Sequence, residues 1–523
     1  MQGRIQQLFG CDVRSLAAFR IGIGILVFVD ALVRYGAAAS FYSGEGFLDA
    51  ALAKYAAPGA YSLNYLSDSV GFQQLIFLAL ACSATFLCVG CFTRVATFCC
   101  WLLIASIHVR NPIYIIGGDT LLRMLLFWCL FIPLGRAWSV DQLRGSNSKK
   151  LAGNVKPVAG FVCSVGTACL LLQVCVMYVT AGLSKWNEPW LNGVAMDYIF
   201  RQDCYARPLS GWLVQFPAFT SLVTYATLVI ELVVPFLMFI PFKTGQLRLA
   251  AVVFFWAFHL GIEMTMDVGK FTYVSMTAWL LFLPPMFWDQ FRWAKLRRLS
   301  TECMEMGAEP NVGWLKRSGR RLLTVVVPLV LFVYIIIWNV VGLYGGPGKT
   351  WLERDPDGFY RFGNITMLRQ NFHMFCIPAR VNTTYLFSGR AVSGERVDLV
   401  RRIPAAKVGP GASLPEKTEW KTLHWYLISF GGDPKIYEAL LEYHAESWNR
   451  TAEADQQVYE ARLEVFAEDI GPGVVAGSYV HNRNIAEWED PDWDEVPAER
   501  LKQDFDRMMD RMETGGLFPT ESD

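Results

Sequence analysis

Charge is scarce in this sequence: 18% of its 523 residues are Asp, Glu, Lys or Arg, while 53% are hydrophobic and 14% aromatic. An ordinary soluble chain carries about 25% charged residues, so the composition excludes one and points to a polytopic membrane protein. Net charge is lacking as well, with 47 basic residues balancing 47 acidic ones. That balance offers no ground for nucleic-acid binding, and no nucleic-acid partner is expected. A disulfide framework is also missing. Most of the thirteen cysteines, among them Cys82, Cys100, Cys129 and Cys169, sit inside apolar runs, where a thiol packs as a small hydrophobe. No cleavable signal peptide is expected, because the first apolar run starts after Ser15, is long, and contains Arg20, Asp30 and Arg34; it should remain as a membrane helix.

Apolar runs are what the chain has in abundance. A spanning helix needs about 20 mainly apolar residues, and nine stretches are candidates: Ser15 to Gly36, Gly71 to Gly90, Thr93 to Val109, Gly118 to Leu134, Val158 to Ser184, Phe219 to Phe242, Leu247 to Met266, Phe271 to Phe287 and Leu322 to Tyr344. The expected fold is an all-α polytopic membrane bundle. Lysine and arginine, which are retained in the cytoplasm, set the orientation. With the N-terminus inside, the inner loops hold Arg4, Arg14, Arg94, Arg136, Arg144, Lys149, Lys150, Lys156, Lys243, Arg248 and the basic run from Arg292 to Arg321. The outer loops hold only Lys54, Arg110, Lys185, Arg201, Arg207 and Lys270.

Nine crossings then leave the region after about Gly345 outside the cytoplasm. "TTYLFSGRAVSGERVDLV" reads as two strands around a Ser393-Gly394 turn, and "YEARLEVF" alternates as a half-buried strand. Asp433-Pro434 supplies an N-cap and first turn for a helix to about Trp448. The plan is a bundle over 13–288, a basic cytoplasmic loop over 289–321, a last membrane helix over 322–344, a small extracytoplasmic α+β domain over 345–486, and an acidic tail over 487–523.

Charges inside membrane helices are costly and mark internal sites. The topology puts several at one level: Lys185 ends an outward-running helix, Asp119 opens an inward-running one, and His259, Glu263 and Asp267 recur every fourth residue on one face of another. Each also has a plain structural reading. Lys185 can snorkel to the interface and offset a helix dipole. Asp119 can pair with Arg123 one turn on, and Arg20, Asp30, Arg34 and Glu231 can be internal ion pairs that fix packing. His259 with Glu263 is a weak two-ligand face, so no metal is expected. Trp186 and Trp190 read as interface anchors.

The stretch "YVTAGLSKWNEPWLNGVAM" resembles the segment of the vitamin K-dependent γ-carboxylase family, also called the horizontally transferred transmembrane (HTTM) domain, that carries the family's active-site lysine, and Lys185 falls at its place. "SLAAFRIGIGILVFVD", "AWSVDQL" and "FHLGIEMTMDVGKFTYVSM" agree in order and spacing, so the resemblance runs from about Val13 to Trp288. Beyond that, "RQNFHMFCIPARVNTTYLFSGRAVSGERVDL" resembles the outer domain of bacterial members. Where the carboxylase has a histidine-containing polar segment, this chain has "IYIIGGDTLLRM", with Gly118 and Asp119.

The resemblance implies a bacterial-type member in the plasma or inner membrane. It implies a lysine in an apolar pocket whose lowered pKa lets it act as general base toward a hydroquinone hydroxyl. Reaction of the quinol anion with oxygen would give a base strong enough to deprotonate a glutamate γ-carbon, which carbon dioxide captures. Such a base survives only where water is excluded, and a membrane bundle provides that exclusion while admitting a lipid-soluble quinol sideways. Lys185, Asp119 and His259 are the candidate catalytic residues, and a reduced quinone such as vitamin K hydroquinone is the implied cofactor. Membrane lipid and an extracytoplasmic peptide or protein substrate are the implied partners. The alternative is a non-catalytic membrane anchor or binding module that presents the outer domain; a transporter is disfavoured, because no inverted repeat or matched pair of broken helices is visible.

Overall fold

The computed structural model describes residues 2–144, 160–291, 321–343, 356–407, 434–472 and 479–489, with positions 319 and 474. The basic loop, apart from its ends and Gly319, and the tail beyond Glu489 lie outside the described residues. The chain divides into two units, Met1–Arg380 with Ile470–Gly473, and Val381–Asp469 with Val474–Asp523.

The first unit is helical. Its principal helices are α1 (Val13–Gly36), α2 (Val70–Val89), α3 (Thr93–Arg110), α4 (Gly117–Cys129), α5 (Val165–Ser184), α6 (Pro217–Phe239), α7 (Thr244–Thr265), α8 (Phe271–Phe282) and α9 (Leu322–Leu343), followed by the short α10 (Pro356–Thr366). Among the described residues six helices are long and apolar enough to cross a membrane: α1, α2, α5, α6, α7 and α9. The other three sequence-predicted spans differ from these in length or composition. α4 is short and buried on every side from Gly118 to Cys129, so its apolar run serves the bundle interior. α8 is short as well, and α3 carries Arg94, His108 and Arg110.

Local chemistry starts and stops these helices. The Asp12 carboxylate accepts the Arg14 N–H at 2.8 Å to open α1, and Ser164 and Thr167 form a reciprocal capping box on α5. Gly90 ends α2 in the left-handed region at φ 68°, where a side chain would be strained and would also strike the Arg20 guanidinium. α4 packs against α3, α5 and α8, and α5 also packs against α6 and α9. Between helices in lipid, close approach matters more than apolarity. Gly24 on α1 shows it: a Cβ there would lie 2.5 Å from Cys88 Sγ on α2.

The first unit extends to Arg380, later than the boundary near Gly345 expected from hydropathy. Polar backbone bonds account for the difference, because the segment after α10 is tied to the bundle through its carbonyls, as described below.

Among the described residues the second unit is a five-stranded antiparallel sheet in the order β5-β4-β3-β6-β7 with one α-helix. After a short ribbon of β1 (Cys11–Asp12) and β2 (Phe161–Val162) in the first unit, these strands are β3 (Val381–Ala391), β4 (Arg396–Asp398), β5 (Ile403–Pro404), β6 (Val458–Asp469) and β7 (Tyr479–Glu489). The turn at Ser393-Gly394 sets Ser388 opposite Asp398, and Tyr385 lies opposite Val465. α11 (Pro434–Asn449) packs on β6 and β7, burying Ile436, Tyr437, Leu440, Leu441 and Ala445 at helical spacing. The unit is α+β, as its sequence pattern predicts. β7 runs to Glu489 and so takes in the start of the acidic stretch.

Candidate functional site: a cavity at the end of α5

A cavity of about 240 Å³ lies among α5, α6 and α7, lined mainly by apolar and aromatic side chains. Lys185 and His259 both face it, as do Glu231, Tyr178 and Trp190. Lys185 follows the last turn of α5, 3% exposed, so it does not snorkel to a surface. Its ammonium donates to both Glu231 oxygens, at 2.8 and 3.1 Å, and to the Ala181 carbonyl at 3.2 Å. The Trp190 ring lies 5.3 Å from Nζ, in reach of a cation–π contact. Trp190 is therefore buried at the site, where sequence suggested an interface anchor, and its Nε1 donates to the Phe375 carbonyl. Trp186 alone of the two is exposed, at 67%.

His259 on α7 is fully buried. Its Nε2 is 2.6 Å from the Tyr178 hydroxyl, which accepts a 2.8 Å hydrogen bond from Trp279 Nε1. The remaining ring nitrogen, Nδ1, has no partner among the described residues. A buried polar atom without a partner is costly. Glu263, one turn along, is held by Arg207 at 2.7 Å and by the Tyr273 hydroxyl. Asp267 lies 3.9 Å from the same Arg207. The four-residue stripe thus splits, with only His259 at the cavity.

Asp119 lies in a separate ionic cluster. Its Oδ1 is 2.5 Å from Arg34 Nη2, 2.5 Å from Lys270 Nζ and 3.2 Å from His108 Nε2. Arg34 and Lys270 also bind Asp30, so two carboxylates meet two cations and the cluster balances. Asp119 Oδ2 accepts the Ile116 N–H at the start of α4. Arg123 does not pair with Asp119; it donates to the Met367 and Arg369 carbonyls and meets His108 Nδ1 at 2.9 Å. The two sites are neighbours along the chain, since Lys270 belongs to the cluster and Phe271 lines the cavity.

Other segments of the sequence pattern hold the scaffold. Among the described residues Arg20 forms no ion pair; it donates to the carbonyls of Leu134, Ala137, Trp138 and Cys88. Asp141, in "AWSVDQL", accepts the Phe92 and Thr93 N–H groups at the head of α3. Against the cost of burial, the Thr93 hydroxyl, which donates at 2.6 Å, and then those N–H groups hold the Asp141 carboxyl below the usual range.

A strap from Met367 to Ala379 closes the cavity with Met374 and Phe375. Asn187 donates to the Cys376 carbonyl, Gln202 to the Ala379 carbonyl, Gln173 to the Gln370 side chain and Trp338 to the Gln370 carbonyl. Glu231, the strap and the Tyr178–Trp279 contact were not singled out as site features by sequence. Only Glu231 carried a signal, as an acid inside an apolar run.

No solved structure matches the chain. The HTTM domain matches residues 10–288, a span that holds Lys185, Glu231, His259 and Asp119 but not the strap. That span is more than half of the chain, and with its apolar helices the protein is an integral membrane protein belonging to the HTTM domain family.

Proposed function

We propose that the cavity binds a lipid-soluble quinol and that the Lys185–Glu231 pair takes a proton from its hydroxyl, as the first step of a carboxylase-like reaction. The observation that carries this reading is a buried lysine paired with a carboxylate on an apolar cavity, facing a histidine with an orphaned nitrogen. The residues fit such a ligand: aromatic and aliphatic walls suit a ring, and the ion pair suits its oxygens. A bound quinol would supply the reducing power that, with oxygen, generates a strong base.

The chain's own part is proton handling. When Glu231 accepts a proton, the Lys185 ammonium loses its counter-charge and can face the oxygen left negative. The net charge of the site stays at zero throughout, which matters where low dielectric penalises unbalanced charge. Trp190 and the strap exclude water. Asp119 acts at a distance, by holding Lys270 and the start of α8 in place. In the same reading, α3, α4 and α8 complete nine crossings, the N-terminus is cytoplasmic, and the second unit is extracytoplasmic, oriented by the basic loop before α9.

The test is quinol-dependent incorporation of labelled carbon dioxide into glutamate-containing peptides by the purified protein. Wild type should incorporate label, and Lys185→Ala should not. Quinol-independent incorporation, or equal incorporation by both, would overturn the proposal. Absence of label in both would favour an anchoring role for the bundle.

A further inference from the structure

Positive charge outruns negative charge around Tyr65, in the segment between α1 and α2. The Tyr65 hydroxyl donates to the Val109 carbonyl near the end of α3 at 3.3 Å, and its ring packs on Met367 of the strap. Lys54, in the last turn of the short helix Ala50–Ala56, holds its ammonium 5.1 Å from that ring. Arg369, also in the strap, lies within electrostatic reach of the same hydroxyl. Among the described residues no side-chain hydrogen bond or ion pair holds either cation. Lys54 is exposed, and Arg369 is half-buried with accessible side-chain nitrogens. Behind them Arg123 is buried and meets His108 and the Met367 and Arg369 carbonyls. The nearby carboxylates are already taken, Asp68 by Arg110 at 2.8 Å and Asp119 by Arg34 and Lys270. Lys54, Arg123 and Arg369 thus gather positive charge that no carboxylate among the described residues matches, and the buried one is screened little by solvent.

The surroundings indicate where a matching anion would come from. α2 is a membrane span that starts at Val70, and the segment just before it exposes Tyr61 at 77% and Leu66 at 75%. Their neighbours Ala60 and Tyr65 pack on one cluster with Met367, which keeps these side chains beside the cations. Large apolar side chains exposed at the end of a span sit at the level of the lipid headgroups. We infer that this site binds the phosphate of an anionic phospholipid, with Arg369 and Lys54 donating to its oxygens and Tyr61 and Leu66 lying against its glycerol and acyl carbons. The inference is independent of the quinol reading, since none of these residues lines the cavity. The head group must be anionic overall, because the ammonium of a zwitterionic lipid would bring one more positive charge to a site already in excess. Each cation near a headgroup contributes roughly fivefold in affinity.

The test is native mass spectrometry of the full-length protein in detergent, supplied with equal amounts of phosphatidylglycerol and phosphatidylcholine. Wild type should retain phosphatidylglycerol with at least a tenfold preference. Lys54→Gln and Arg369→Gln should each cut that preference roughly fivefold, and the double variant should retain the two lipids about equally. Melting temperatures without added lipid should be unchanged, because neither side chain holds a partner in the fold. Arg94→Gln removes an exposed charge at the opposite end of α3 and should keep the preference. No preference in wild type, a preference that survives in the double variant, or an equal loss in Arg94→Gln would overturn the site. Thermal stabilisation of wild type by inorganic phosphate as large as that by phosphatidylglycerol, and absent in the double variant, would overturn the lipid and make a soluble oxyanion the occupant.

Discussion

The Lys185 ammonium and the Glu231 carboxylate sit 2.8 Å apart across 46 residues of sequence, both buried on the wall of one cavity. Removing one member of a buried pair typically costs about 3–5 kcal/mol, because the other charge is left without compensation, whereas replacing both by apolar groups is often neutral. Lys185→Met and Glu231→Leu should therefore each lower the melting temperature in detergent clearly, and the double variant should recover most of the loss. A double variant as unstable as the singles would show that the pair holds the fold by something other than charge balance.

Tyr178 serves two partners at once, His259 Nε2 and Trp279 Nε1. Tyr178→Phe keeps the ring and strands both nitrogens, so a loss of about 1–3 kcal/mol is expected. Thermal unfolding indistinguishable from wild type would mean the contact contributes nothing.

Arg20 spreads its guanidinium over four backbone carbonyls. A lysine keeps the charge but cannot fork, so Arg20→Lys should destabilise the turn over 134–138 by roughly 1.5–3 kcal/mol, the range of a hydrogen bond to a charged group. Limited proteolysis of that turn reads the effect, and a variant as resistant as wild type would refute it.

Burial, with the Lys185 charge nearby, holds the His373 imidazole below its ordinary value of 6.5. The native strap then binds fewer protons than the unfolded chain, so its stability is full above pH 6.5 and falls as pH drops below it. Backbone hydrogen exchange at His373 to Phe375 should rise on going from pH 7.5 to 5.5, after correction for intrinsic rates. His373→Asn should flatten that dependence, and an equal rise in the variant would assign it elsewhere.

Much of the bundle was legible in the sequence because lipid-facing helices must be apolar for a fixed length. That α4 meets other helices on every side was not legible, since burial in protein and burial in lipid select the same residues. Lys185 and His259 could be proposed together from their motifs, and they do share a cavity. Motif order and depth put Asp119 with them, and neither says which helix faces which. Glu231 was visible as an intramembrane acid, but its partner depends on how α5 packs on α6. Trp190 was misread because a tryptophan near a helix end looks the same whether it meets lipid headgroups or a lysine. The strap was out of reach, because its attachment runs through backbone carbonyls that any residue carries.

The central claim is that a quinol binds at the Lys185–Glu231 pair. Its most direct test is the affinity of a prenylated quinol for the protein in nanodiscs, comparing wild type with the Lys185→Met/Glu231→Leu double variant, in which the charge is removed and the fold is expected to be kept. A hydrogen bond to a charged group is worth about 1.5–3 kcal/mol, which is a factor of about 10 to 150 in Kd. The account predicts saturable binding to wild type and a loss of at least tenfold in the double variant. Equal affinity in the two proteins would contradict it.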